Sequence, residues 1–166
     1  FAATGRGDEA LKAQAAFEAA LPAIPEGHMW GANPARQVMQ VFRAFLAGEI
    51  AYGQGRVDEA VQRLQEAVRL EDALKYDEPP ACVVPARHAL GAVLLSAGRA
   101  KEAEAVYRTD LKAYPANYWS LLGLQKALAA QGRRPEAAAA AEDLRRAQAR
   151  AQVSAETSCL CVKGKG

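Results

Sequence analysis

The chain is short of aromatic residues, histidine and cysteine, and each shortage narrows what it can be. Phe, Trp and Tyr make up 7% of its 166 residues, too few for a thick aromatic core. The two histidines, His28 and His88, stand 60 positions apart. Neither has a nucleophile and a carboxylate placed beside it by spacing, so no catalytic triad is supported. Acidic residues follow helix-surface spacing, which does not indicate paired-carboxylate catalysis. No P-loop or dinucleotide glycine pattern occurs, and the sequence implies no enzyme and no cofactor. Three cysteines are too few for a disulfide framework, and an odd count leaves at least one unpaired. No apolar run reaches the roughly 18 residues of a membrane span. Lys+Arg number 21 against 19 Asp+Glu, a net charge of +2. The two signs are interspersed without a basic stripe, so nucleic acid is not an expected partner.

Alanine supplies much of the 51% hydrophobic content. It is the best helix former and allows helices to approach closely. The phrase Gly-Arg-x-x-Glu-Ala occurs four times, at Gly5-Arg6, Gly55-Arg56, Gly98-Arg99 and Gly132-Arg133. A glycine-led phrase recurring before helical stretches places it at turns between stacked helices. Leu11, Ala15, Phe17 and Leu21 fit a helix over 8–20 stopped by Pro22. Asn33-Pro34 predicts a helix start, with Asn33 as N-cap. Val38, Val41, Phe42, Phe45 and Ile50 then recur at helical spacing, and Asp58 is placed to cap the next helix. Further hairpins are predicted at about 85–113 and 117–151, with Pro135 in the first turn of the last helix. No sustained strand alternation is present, so the fold class is all-α.

The turn glycines are separated by 50, 43 and 34 residues, and the last interval equals the tetratricopeptide repeat (TPR) period. With Gly98 at the inter-helix turn, Leu90-Gly91 and Ala103 fall at small positions. Leu94 falls at a large one, Tyr107 at the second-helix aromatic position and Pro115 at the end. Ala47-Gly48, Ala51, Ala60, Leu64 and Ala67 occupy the matching places around Gly55, and Leu124, Leu128 and Ala137 those around Gly132. In this register the last repeat lacks the first-helix glycine. On these residues the chain resembles the TPR family over roughly 5–151, and more closely the C-terminal part of longer bacterial TPR-containing proteins. The resemblance implies a right-handed α-solenoid of about three and a half repeats. It divides the chain into a second helix of an incomplete leading repeat (1–22), a Pro/Gly linker (23–33), a repeat with an extended first helix (34–72) and an inserted loop (73–83). Two further repeats (84–117 and 118–151, the last helix capping) and a flexible tail (152–166) follow. With Phe at position 1 and no signal peptide, the expectation is a piece of a longer bacterial chain, its compartment (cytoplasm or periplasm) unassigned.

The resemblance also implies function: a non-catalytic scaffold binding a protein or peptide on a groove lined by first helices. Its lining would be Phe42, Phe45, Glu49 and Tyr52, then His88, Ala92, Leu95 and Ser96, then Trp119, Leu122 and Lys126. Phe42, Phe45 and Leu122 equally suit core positions; Tyr52, His88 and Trp119 are the stronger groove residues. The family's carboxylate clamp is not supported, since no Asn lies on 84–97 or 118–131. The acidic insert at 71–83, with Tyr76, either rims the binding face or is a solvated loop. Glu142, Asp143, Arg145, Arg146 and Arg150 are expected on the outer face of the last helix. The exposed face of the first helix is a candidate for self-association. Cys159-Leu160-Cys161 in the tail offers a different function, soft-metal binding or thiol redox chemistry. Two ligands do not close a tetrahedral site, however, and disordered thiols or a link to Cys82 are the alternatives.

Overall fold

The computed structural model describes residues 1–78, 80–82, 84–149 and 154–162. Helices dominate: α1 (Gly7–Ala20), α2 (Ala35–Gly53), α3 (Val57–Asp72), α4 (Ala86–Ser96), α5 (Ala100–Ala113), α6 (Tyr118–Ala130) and α7 (Arg134–Gln148). One minimal hairpin adds β1 (Met29–Trp30) and β2 (Asn33–Pro34), antiparallel with Trp30 opposite Asn33. The all-α expectation therefore holds apart from these four residues. The chain forms two compact units, Phe1–Ala86 and Arg87–Gly166.

Each letter of the repeated phrase has a physical task. Gly5, Gly55, Gly98 and Gly132 all adopt φ between 73° and 79°, a left-handed conformation that costs glycine nothing. At Gly55 its own N–H reaches Tyr52 O at 2.9 Å, while the Arg56 N–H reaches back to Ala51 O at 2.9 Å. The same pair of bonds recurs at Gly98 and Gly132, terminating α4 and α6 as they terminate α2. The 3₁₀ turn Ala2–Thr4 ends at Gly5 in the same way. The following arginine is the N-cap of the next helix and pairs with the glutamate three residues on: Arg6–Glu9, Arg56–Glu59, Arg99–Glu102 and Arg133–Glu136. These pairs are exposed, so solvent screens them and they add little to stability. The closing alanines Ala10, Ala60, Ala103 and Ala137 are buried where the helix meets its neighbour. Asp58, expected as a cap, lies inside α3 instead, because the Gly-Arg turn starts that helix two residues earlier, with Arg56 as its N-cap.

In the first unit α2 packs along α3 and against α1. Val38, Val41, Ile50 and Ala51 are buried on α2, and Ala60, Val61, Leu64 and Ala67 on α3. Gly48 permits the close approach, since a Cβ there would lie 2.7 Å from Leu64 Cγ. Asn33 does not cap α2. Its amide instead pairs both ways with the Lys75 backbone, Nδ2 to O at 2.9 Å and Oδ1 from N at 2.7 Å. Pro34 takes the N-cap place without a side-chain bond. Asp77 accepts the Ala32 N–H at 2.8 Å, and its carboxylate fills the space where any Gly31 side chain would stand. The acidic insert is thus tied to the β1–β2 loop through side chains. Glu71 accepts the Ala86 N–H at 2.9 Å and satisfies a donor at the start of α4. Cys82 is buried, and burial together with the charge of Glu71 pushes its thiol up to about 12.

In the second unit α5 packs on α6 and α6 on α7. Asn117 caps α6, its Oδ1 accepting from the Trp119 N–H at 2.9 Å and the Ser120 N–H at 3.2 Å. Glu104 of α5 binds Arg108 at 2.8 Å, Gln131 at 2.8 Å and Arg133 at 2.6 Å. It thereby joins α5 to the turn between α6 and α7. α7 buries Ala137, Ala140 and Ala147 and exposes Glu142, Asp143, Arg145 and Arg146, as its sequence predicts. Arg150, together with Pro79, Val83, 151–153 and 163–166, lies outside the described residues.

Candidate functional site

The site is built around Tyr107, whose side chain is fully buried. Its ring runs from α5 between Gly91 of α4 and Gly123 of α6. A Cβ at Gly91 would lie 2.3 Å from Tyr107 Cζ, and one at Gly123 2.1 Å from the same atom. No larger residue could stand at either position without moving the ring. Passing between the two helices, the ring delivers its hydroxyl to the chain's own C-terminal segment.

That segment, residues 154–162, was expected as a flexible tail. It is held instead by atoms of α4, α5 and α6. The Ala155 N–H donates to Tyr118 Oη at 3.0 Å, and the Lys126 ammonium donates to the Glu156 carbonyl. Ser158, 4% exposed, lies 2.6 Å from Tyr107 Oη and donates to the His88 carbonyl at 3.0 Å. Since Ser158 has one hydroxyl hydrogen and spends it on His88, Tyr107 is the donor to Ser158. Burial pushes the Tyr107 phenol up, so it stays a protonated donor at ordinary pH. Beyond Ser158 the segment turns tightly. Thr157 Oγ1 donates to Cys159 O at 2.5 Å, and the Val162 N–H reaches Cys159 O at 3.3 Å. Cys159 and Cys161 are joined to each other by a disulfide, while Cys82 is a free thiol. The expected link from the tail to Cys82 is therefore not made. In this state neither tail sulfur is a thiolate, the form in which cysteine binds soft metals or attacks as a nucleophile.

Beneath the segment lies a polar cluster with the residue types of a hydrolase triad. His88 Nε2 stands 3.4 Å from Asp110 Oδ2, and the same oxygen accepts from Ser120 Oγ at 2.6 Å. All three side chains are buried. The wiring is not that of a nucleophile, because Ser120 gives its proton to the carboxylate and has no bond to the imidazole. Burial raises the Asp110 carboxyl, but the bonds from His88 and Ser120 outweigh it and hold the group below its usual value. The cluster satisfies buried polar groups and ties α4, α5 and α6 together.

The sequence-predicted groove residues fall in different settings. In the first unit Phe42, Phe45, Glu49 and Tyr52 are half-buried along one face of α2, Phe45 packing on Ala44 and Ala67. Burial pushes the Glu49 carboxyl up. In the second unit His88, Ala92 and Leu122 are buried, Leu95 and Trp119 half-buried, Ser96 and Lys126 exposed. The Trp119 ring meets Tyr118 edge-on at 5.6 Å. Of the predicted set, His88, through its carbonyl, and Lys126 have hydrogen bonds to residues 154–162. Tyr107, Tyr118 and Ser158 were missed as site residues. Tyr107 reads as a core aromatic, and nothing local marks Ser158 in a polar tail. No protein-family model matches the chain, and no curated protein matches it.

Proposed function

We propose that this chain is a non-catalytic scaffold that binds extended peptide segments of partner proteins. In this reading its hairpins are TPR-type repeats of a right-handed α-solenoid, and first helices supply the binding face. The observation that supports it is the seating of residues 154–162 against α4 and α6. There, groups of this face meet backbone atoms of a non-helical segment: Tyr118 accepts the Ala155 N–H, and Lys126 donates to the Glu156 carbonyl. Backbone recognition by preformed helices is how a rigid groove holds a peptide without ordering itself, so little scaffold entropy is lost.

The test is a titration with a fluorescent peptide of the sequence 154–162, its two cysteines oxidised. The tail competes at a millimolar-scale effective concentration, so the titrated protein is the full chain carrying Ser158→Trp, whose bulk evicts its own segment. Saturable 1:1 binding that weakens about tenfold in the additional Lys126→Ala variant is expected. Absence of binding, with the tail shown to be displaced, would remove the reading.

A further inference from the structure

The contacts to residues 154–162 are unequal in what they can read. The bonds at Ala155 and Glu156 use main-chain atoms and carry no sequence information. The side chain of Ser158, by contrast, meets a donor, Tyr107 Oη, and an acceptor, the His88 carbonyl. Tyr107 is fully buried and confined between Gly91 and Gly123, so its hydroxyl cannot turn elsewhere to find a partner. Helix α4 fixes the backbone carbonyl that Ser158 uses, and Asp110, itself bonded by Ser120, holds the His88 side chain. A group that both accepts and donates, and is no larger than a hydroxymethyl, is the chemical complement of this pair. Serine is that group. Threonine adds a methyl to a place already almost without solvent, and alanine leaves the buried phenol without the partner it has in Ser158. A phosphoserine would set a dianion against the His88 carbonyl.

We propose that the α4–α6 face selects non-helical peptide segments by a serine at the place of Ser158, with residues 154–162 as its intramolecular occupant. This rests on the peptide-binding reading above and names its ligand class: a partner strand gripped by backbone two and three residues before an unmodified serine. The face is vacated for such a partner when the chain's own segment leaves.

The test uses peptides of the sequence 154–162 carrying Ser158, Ser158→Ala, Ser158→Thr or phosphorylated Ser158, titrated against the full chain bearing Ser158→Trp. The serine peptide is expected to bind tightest, with alanine roughly ten- to a hundred-fold weaker, the cost of leaving a buried hydroxyl unpaired. The threonine peptide is expected to be weaker than serine, and the phosphopeptide without measurable binding. Equal affinity of the serine and alanine peptides would overturn the selectivity while leaving the peptide-binding reading intact; no binding of any peptide would overturn both. A second measurement uses the chain with its tail in place: amide exchange at Ala155 should speed roughly ten- to a hundred-fold in Ser158→Ala. An unchanged rate would show that the serine does not hold the segment, and would overturn the proposal independently of Ser158→Trp.

Discussion

Replacing Gly123 with alanine separates two effects of opposite sign. In an open helix interior the change stabilises by about 1 kcal/mol, the propensity difference between the two residues. Here the new Cβ would stand 2.1 Å from Tyr107 Cζ, 2.4 Å from Cε1 and 2.5 Å from Cε2. Carbon atoms pack at about 3.5–4.0 Å, so the ring would have to retreat by more than about 1.4 Å to restore even the shortest normal contact. Gly91 closes the opposite side, where a Cβ would lie 2.3 Å away, and the hydroxyl is tied to Ser158 at 2.6 Å. With no free direction, the overpacking cost lies at or above the upper end of the usual range, about 3 kcal/mol. The net expectation is a destabilisation of about 2 kcal/mol or more. Urea unfolding followed by Trp119 fluorescence, in a Trp30→Phe background, reads this out. Tyr107→Ala alone should cost about 3–5 kcal/mol. In that background Gly123→Ala should become neutral or stabilising, because nothing remains for the Cβ to strike, giving a coupling of about 2–3 kcal/mol. A stabilising Gly123→Ala in the unmodified chain, or an equal cost in both backgrounds, would show that the Tyr107 ring is not confined at Gly123.

Other perturbations probe the remaining contacts. Although burial raises Glu104, its bonds to Arg108, Gln131 and Arg133 win and hold its carboxyl down to about 2. A depressed native pKa contributes stability that is complete above the usual value of 4.5 and is lost as pH falls toward 2. Glu104→Gln should therefore flatten the acid limb of urea-unfolding stability between those values, and an unchanged slope would argue against the cluster. The Cys82 thiol, pushed up to about 12, should be nearly inert to a disulfide reagent at pH 8 in the native chain. One equivalent should appear on denaturation without reductant, whereas fast native labelling would mean that Cys82 is not shielded. Asn33→Ala should cost about 1–3 kcal/mol and expose the Lys75 amide to exchange; retained protection there would show that the insert is held by something else.

What could be read from the sequence was what is local. The Gly-Arg-x-x-Glu-Ala phrase contains its whole mechanism within six residues: the left-handed turn, the short ion pair and the buried alanine. Gly91 and Tyr107 were legible as a small residue facing an aromatic. Gly123 was not, because it falls two places before the repeat's own glycine position and serves the tyrosine of the preceding hairpin. Asn33 shows the opposite error: its local signature says N-cap, yet a partner 42 residues away claims the side chain. The same distance problem hid the tail. Ser158 meets Tyr107 across 51 residues and His88 across 70, and a serine in a short polar stretch carries no periodicity to announce the meeting. His88 was chosen as a groove side chain but contributes its carbonyl, its ring being committed to Asp110.

Mapping amide chemical shifts reads out whether the α4–α6 face binds a peptide segment. The isotope-labelled full chain carrying Ser158→Trp is titrated with the unlabelled oxidised peptide 154–162. The account predicts saturable shifts at His88, Gly91, Tyr107, Tyr118, Gly123 and Lys126, the residues that hold or frame the native segment. Shifts confined to other residues, or none at concentrations that saturate the fluorescence titration, would contradict it.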